Sequence, residues 1–228
     1  MVTLFVFANS QSKENETVAA GHYGVARQAM AEAKLTSNPV ELAILSWKIE
    51  RELQETIHLD AANLDARLDL IRYYTVAPRI IGGSAAKARE QAREIDKRDR
   101  ALGAFANGYL DYHDKAYGPA RLKLREAVRL AGDAKTKVLA LTWLGWLSQE
   151  TQQYDDAFRA WDEVLATDPA HVEAMYEIGR TAAFARRDVA RGEEALRRYL
   201  ASKRTSDMPP EEEARKLLEK LQSYENLR

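Results

Sequence analysis

The chain has 228 residues, 46% of them hydrophobic, enough apolar side chains for one large domain or an elongated array. Its 34 Lys and Arg nearly cancel its 35 Asp and Glu, and a net charge of −1 gives no bulk attraction to nucleic acid or an anionic membrane. The absence of cysteine excludes disulfides, a thiol nucleophile and Cys-ligated zinc or iron–sulfur sites, and 11 glycines and 6 prolines are few for a loop-rich all-β chain.

Residues 2–8, Val-Thr-Leu-Phe-Val-Phe-Ala, form a short apolar run followed by polar Asn-Ser-Gln-Ser-Lys. Two readings stand open. Residues 1–12 are either the remnant of a truncated secretory signal peptide, which makes the protein periplasmic or otherwise exported, or a flexible N-terminus on a cytoplasmic protein. No run of about 20 apolar residues occurs, so no integral membrane segment is expected.

From residue 14 the apolar period is helical. Val18, His22, Val25, Ala26, Ala29, Met30 and Ala33 predict a helix over 14–35. Thr36-Ser37-Asn38-Pro39 stops it and starts the next, with Pro39 suited to a first helical turn. Leu42, Leu45, Ile49, Leu53 and Ile57 carry that second helix to about His58. A third, holding Leu64, Leu68, Ile71 and Tyr74, ends before Pro78. Gly82-Gly83 predict a turn that needs positive φ, and Ser84 an N-cap for a helix to about Lys97. Further helices are predicted at 101–113, 118–130, 135–151, 154–167, 171–185, 189–202 and 209–226. The last opens on Pro209-Pro210 and three glutamates, which suit the positive end of a helix dipole. Short connections between such helices give antiparallel neighbours.

The pairs repeat. In Leu144-Gly145 … Tyr154 … Ala157 … Trp161 … Leu165 … Asp168-Pro169, a small residue follows Leu in the first helix, Tyr opens the second, Ala lies one turn on and Pro closes the unit. Ile178-Gly179 with Gly192, Leu196 and Tyr199 repeats the pattern, as do Gly108 with Tyr117, Ala120, Leu124 and Ala127. Arg72, Gly108, Gly145 and Gly179 are spaced 36, 37 and 34 residues apart. This sequence resembles the tetratricopeptide repeat, whose period is about 34. Arg72 departs from the family's small residue. The resemblance implies an all-α fold, a right-handed α-solenoid of about five stacked antiparallel helix pairs, with 13–228 as a single domain. Residues 211–226 read as its capping helix, with Glu211, Glu212, Glu213, Lys216, Glu219 and Lys220 flanking Leu217, Leu218 and Leu221.

Candidate chemistry is sparse. His22, His58, His113 and His171 show no metal-ligand spacing. Ser84-Ala-Ala-Lys87 matches the S-x-x-K string of penicillin-binding enzymes without their other motifs, and reads as a helix cap beside a surface lysine. The basic groups Arg89, Arg93, Lys97, Arg98, Arg100 and Arg186, Arg187, Arg191, Arg197, Arg198 are interleaved with glutamates at helical spacing, as on solvated faces. No catalytic set, cofactor or metal is expected.

In tetratricopeptide arrays the first helix of each pair lines a concave surface, and the resemblance implies the same here. The residues just after the small position are Tyr73, Tyr109, Trp146 and Arg180; Asp69, Phe105, Thr142 and Tyr176 lie one turn earlier, Tyr112 and Gln149 one turn later. Aromatic and arginine side chains dominate binding hot spots. The expectation is a non-enzymatic adaptor that binds a protein or peptide segment in this groove, with Arg180 able to meet a carboxylate. The alternative is an assembly subunit of a bacterial envelope complex that uses its convex face or ends; a helical enzyme is the third class. Nucleic-acid binding is not expected, and oligomeric state is left open.

Overall fold

The computed structural model describes residues 2–203, 205 and 208–225, with side chains between residues 13 and 224. Within them lie eleven α-helices: α1 Val2–Ala33, α2 Pro39–Leu59, α3 Leu64–Val76, α4 Ala85–Asp96, α5 Arg100–His113, α6 Tyr117–Leu130, α7 Ala134–Glu150, α8 Tyr154–Thr167, α9 Val172–Ala185, α10 Val189–Ala201 and α11 Glu211–Glu225. A 3-10 turn spans Arg79–Ile81, and no strand occurs among the described residues. The helical backbone begins at Val2, where the periodicity placed its start near 14. The side chains of the apolar run 2–8, read above as a signal remnant or a flexible end, lie outside the described residues.

Local chemistry sets the helix starts. Asn38 accepts from the Val40 amide at 3.0 Å with Pro39 in the first turn, and Asn63 accepts from the Ala66 amide at 3.0 Å. Asp133 accepts from Thr136 N at 2.8 Å, and Ser84 from Lys87 N at 3.4 Å. Ser84 is thus a cap, and Lys87 Nζ turns away to Glu50 Oε1 at 2.7 Å. Gly82 has φ of 108°, the left-handed region that glycine enters without strain.

The chain divides into two compact units, residues 1–113 and 114–228. In the first, α1 pairs with α2 and α3 with α4, α2 packs on α3 and α4 on α5. In the second, α7 pairs with α8 and α9 with α10; α6 packs on α7, α8 on α9, and α11 closes the unit against α9 and α10. Alternate helices therefore form two layers in each unit.

Close approach depends on missing side chains. A Cβ on Gly145 would lie 2.3 Å from Cζ2 of Trp161, which is fully buried. One on Gly179 would lie 2.3 Å from Leu196 Cγ, and one on Gly192 would lie 2.5 Å from Ala182 Cβ. Ala157, Leu196 and Leu221 are completely buried, so the landmarks of the repeat are its packing contacts. In α11, Ala214 and Leu221 face inward while Glu212, Lys216, Glu219 and Lys220 are exposed, the polar outer face that a terminal helix needs.

Two predictions follow from this packing. Gly145→Ala forces its methyl into the Trp161 ring and should destabilise the protein by about 1–3 kcal/mol. Gly118→Ala, at a helical site with nothing within 4 Å, should stabilise by about 0.5 kcal/mol through helix propensity. Urea denaturation of both variants checks the pair. The second concerns His171, whose Nδ1 accepts from the Ala174 amide at 3.2 Å and caps α9. Burial holds its pKa below the ordinary 6.5. The unfolded chain therefore takes up the proton first as pH falls. The contribution is complete above the unfolded value and is lost as pH drops through the folded one. Melting temperature against pH should fall on the acid side, less steeply in His171→Asn, which caps without titrating.

Candidate interaction site

In the second unit, the first-helix layer brings together three of the groove residues expected from sequence and one that was not. Glu177 of α9 is buried and surrounded by donors. Trp146 Nε1 donates to its Oε1 at 3.2 Å, and Gln149 Nε2 to its Oε2 at 2.9 Å. Gln149 Nε2 also lies 2.7 Å from Thr181 Oγ1, and Arg180 NH2 donates to Gln149 Oε1 at 2.6 Å. Arg180 Nε stands 2.9 Å from Glu177 Oε2, an ion pair without hydrogen-bond alignment. Burial pushes the Glu177 carboxyl upward, while Arg180, Gln149 and Trp146 oppose that shift.

The cluster opens outward on one side. The Arg180 side chain is 32% exposed and its guanidinium lies 5.8 Å from the Phe184 ring centre, with Phe184 itself 49% exposed. Lys220 of α11 stands over the same ring at 5.7 Å. Trp146 is half-buried between Trp143, edge-on at 5.0 Å, and Trp161 at 6.3 Å. Gln149 is buried, so it organises the cluster and is not an exposed contact. Tyr176 is also buried: its ring lies tilted against Tyr199 at 5.2 Å, and burial pushes its hydroxyl up to about 12.

In the first unit the expected row is mostly interior. Phe105 is buried and Tyr109 is 4% exposed, with ring contacts from Tyr109 to Phe105 at 6.4 Å and to His113 at 4.4 Å. Burial pushes the Tyr109 hydroxyl up to about 12. These two aromatics are core, a correction to their assignment as groove contacts. Tyr112 is half-buried edge-on to His113. Tyr73 is half-buried, and its hydroxyl donates to the Ile81 carbonyl at 2.6 Å; a Cβ on Gly82 would lie 2.3 Å from that hydroxyl. Tyr73 thus locks the turn after α3. The polar feature of this layer is Asp69, buried, which accepts from Tyr23 at 2.9 Å and Arg72 at 3.0 Å and pairs with Arg27 at 3.5 Å.

Sequence reasoning missed Glu177 and Phe184, and it placed Asp69 in the groove row, where the structure buries it. Phe184 continues the row 176–180 by one more turn, a signal that was present. Nothing marked Glu177 among 35 acidic residues. Of the arginines read as solvated, Arg98 folds back on Glu94 of α4 and Arg197 pairs with Glu193 within α10, but Arg187 and Arg191 reach across to Asp155 and Asp162 of α8.

No family model matches the sequence, and no curated protein matches it either. Among solved structures, PilF of Pseudomonas aeruginosa is similar over 96% of this chain and 90% of its own, with a TM-score of 0.60 at 12% identity. Two structures of MamA cover 80% and 94% of this chain, and 90% and 93% of their own, at 18% and 16% identity with TM-scores of 0.43 and 0.44. At such identity the likeness to PilF concerns the fold. PilF is built of tetratricopeptide repeats, and the stacked helical hairpins of this chain have that fold.

Proposed function

We propose that the protein is a non-enzymatic interaction module that holds a peptide segment of a partner protein on the first-helix layer of its second unit. The observation that carries this reading is the cluster of Trp146, Arg180 and Phe184, partly open to solvent and anchored from beneath by Glu177. Indole and guanidinium groups combine large contact area with directional polar ends. Arg180 already has Gln149 and Glu177 on its inner side, so its outward N–H groups are aimed before a partner arrives. A side chain ordered in advance loses little entropy on binding. A carboxylate or main-chain carbonyl meets the guanidinium, and an apolar side chain meets Phe184 and the Trp146 edge. Tyr109 and Phe105 take no part, because they are core.

The test is capture of partners from the source cell's extract, followed by anisotropy titration of fluorescent peptides tiled across any captured protein. Arg180→Ala/Phe184→Ala should weaken the binding peptide at least about tenfold while circular dichroism stays unchanged. Glu177→Gln removes the inner charge and should weaken it less. Equal binding by wild type and the double variant would move the interaction to the second-helix layer or the ends of the units.

A further inference from the structure

A cleft of about 230 Å3 opens on the second-helix side of the second unit, between α6 and α8. Its floor is aliphatic: Leu141 and Leu144 of α7, Val128 of α6 and Ala160 of α8. Its walls are charged. Arg121 and Arg125 stand on the α6 side, and Asp156, Arg159 and Glu163 on the α8 side.

Three guanidinium groups share one carboxylate here. Arg125 donates to Asp156 Oδ2 at 3.3 Å, Arg159 pairs with Oδ1, and Arg121 stands 3.6 Å from Oδ2. One carboxylate has far fewer acceptor sites than three guanidinium groups have N–H donors. Arg121 is the least compensated. Its side chain is only 14% exposed, and its donors meet the neutral hydroxyls of Ser148 at 3.1 Å and Thr151 at 2.8 Å. Burial outweighs the attraction of Asp156 and holds its pKa below the ordinary arginine value.

Charge and size decide between ligands. The lining carries three cations and two carboxylates, an excess of one. The other acids of these helices are engaged: Glu126 with Lys123, Asp155 with Arg187, Asp162 with Arg191, Glu150 with Tyr117, and Asp133 in capping α7. Arg129, Lys135 and Lys137 add positive charge, so no acid of α6–α8 cancels the excess. A monoanion neutralises the lining, whereas a second negative charge would face Asp156 and Glu163. Pockets for drug-sized molecules span roughly 300–1,000 Å3, so this cleft suits a smaller ligand. The planar fork of a guanidinium matches a carboxylate, and the floor takes a hydrocarbon chain. We infer that the cleft between α6 and α8 binds a small aliphatic carboxylate, with its head group between Arg125 and Arg159 and its chain over Leu141 and Leu144. The inference is independent of the peptide site, which lies on the first-helix layer.

Octanoate titrated into the isotope-labelled full chain, followed by NMR, tests it. The amide signals of Val128, Leu141, Leu144 and Ala160 should shift and saturate with a Kd of about 1 mM. Octanol, with the same chain and no charge, should bind at least about tenfold more weakly, and octanoate binding should weaken as salt rises. Arg125→Gln/Arg159→Gln should weaken octanoate about tenfold or more. These side chains are 58% and 69% exposed, so the variant should keep the wild-type circular dichroism. Glu163→Gln removes a competing carboxylate and should tighten binding about twofold. No saturable shift at several times that concentration overturns the inference. So does equal binding of octanoate and octanol, or octanoate binding that Arg125→Gln/Arg159→Gln leaves intact. Shifts that saturate around Trp146 and Phe184 instead would assign the ligand to the first-helix layer and exclude the cleft.

Discussion

The arrangement of the second unit depends on the absence of two methyl groups. At Gly145 and Gly179 the space for a Cβ is already occupied by the Trp161 ring and the Leu196 side chain. This lets α7 approach α8, and α9 approach α10, closely enough to bury the second-helix side chains completely. Orientation follows from helical geometry. A residue one position after the glycine points about 100° away from the contact, toward the first-helix layer. Trp146 and Arg180 occupy that position in successive hairpins. Residues three before Arg180 and three after Trp146 then face each other, which places Glu177 against Gln149. The polar cluster is a geometric consequence of two glycines.

Both units carry a buried carboxylate on a later first helix that receives donors from an earlier one. Asp69 of α3 takes Tyr23 and Arg27 of α1, and Glu177 of α9 takes Trp146 and Gln149 of α7. Such groups add little net stability, since desolvation offsets the Coulomb gain. Their leverage is on register. A shift of one helix along the other would leave a buried carboxylate without donors, at a cost of about 3–5 kcal/mol for a broken pair. Apolar side chains between adjacent hairpins could slide at much lower cost. The carboxylates therefore fix how the hairpins stack, while the glycines fix how each hairpin closes.

This division explains what the sequence disclosed. The helices after the first, the cap at Ser84 and the landmarks Gly145, Ala157 and Gly179 are local signals, and the structure has them close to where the sequence put them. The small residue identifies which face of each first helix meets its partner. It does not say how deeply the neighbouring face is covered. Tyr109 and Trp146 share one register position, yet one is core and the other half-open, because burial is set by side chains distant in sequence. For the same reason Tyr73, aligned with them, locks a turn through its hydroxyl. Glu177 was illegible because an acidic residue at a helical position usually faces solvent. Only the convergence of Trp146, Gln149 and Arg180 distinguishes it from an ordinary surface glutamate.

A net charge of −1 is likewise a sum over unlike surfaces. In the second unit, α8 supplies acids and its neighbours supply arginines: Arg121 and Arg125 of α6 approach Asp156 at 3.6 and 3.3 Å, while Arg187 and Arg191 reach Asp155 and Asp162. The exposed ones among these pairs, such as Arg187–Asp155 and Arg191–Asp162, contribute about 0–1 kcal/mol each. Their consequence is that the outer side of this unit presents nearly matched charge. In the first unit Lys87 pairs with Glu50 and Arg51 with Glu52 beside the exposed Trp47. Near-neutrality is thus reached by local pairing in both units, and the second unit offers an aromatic cluster with an oriented guanidinium whose inner contacts are already made.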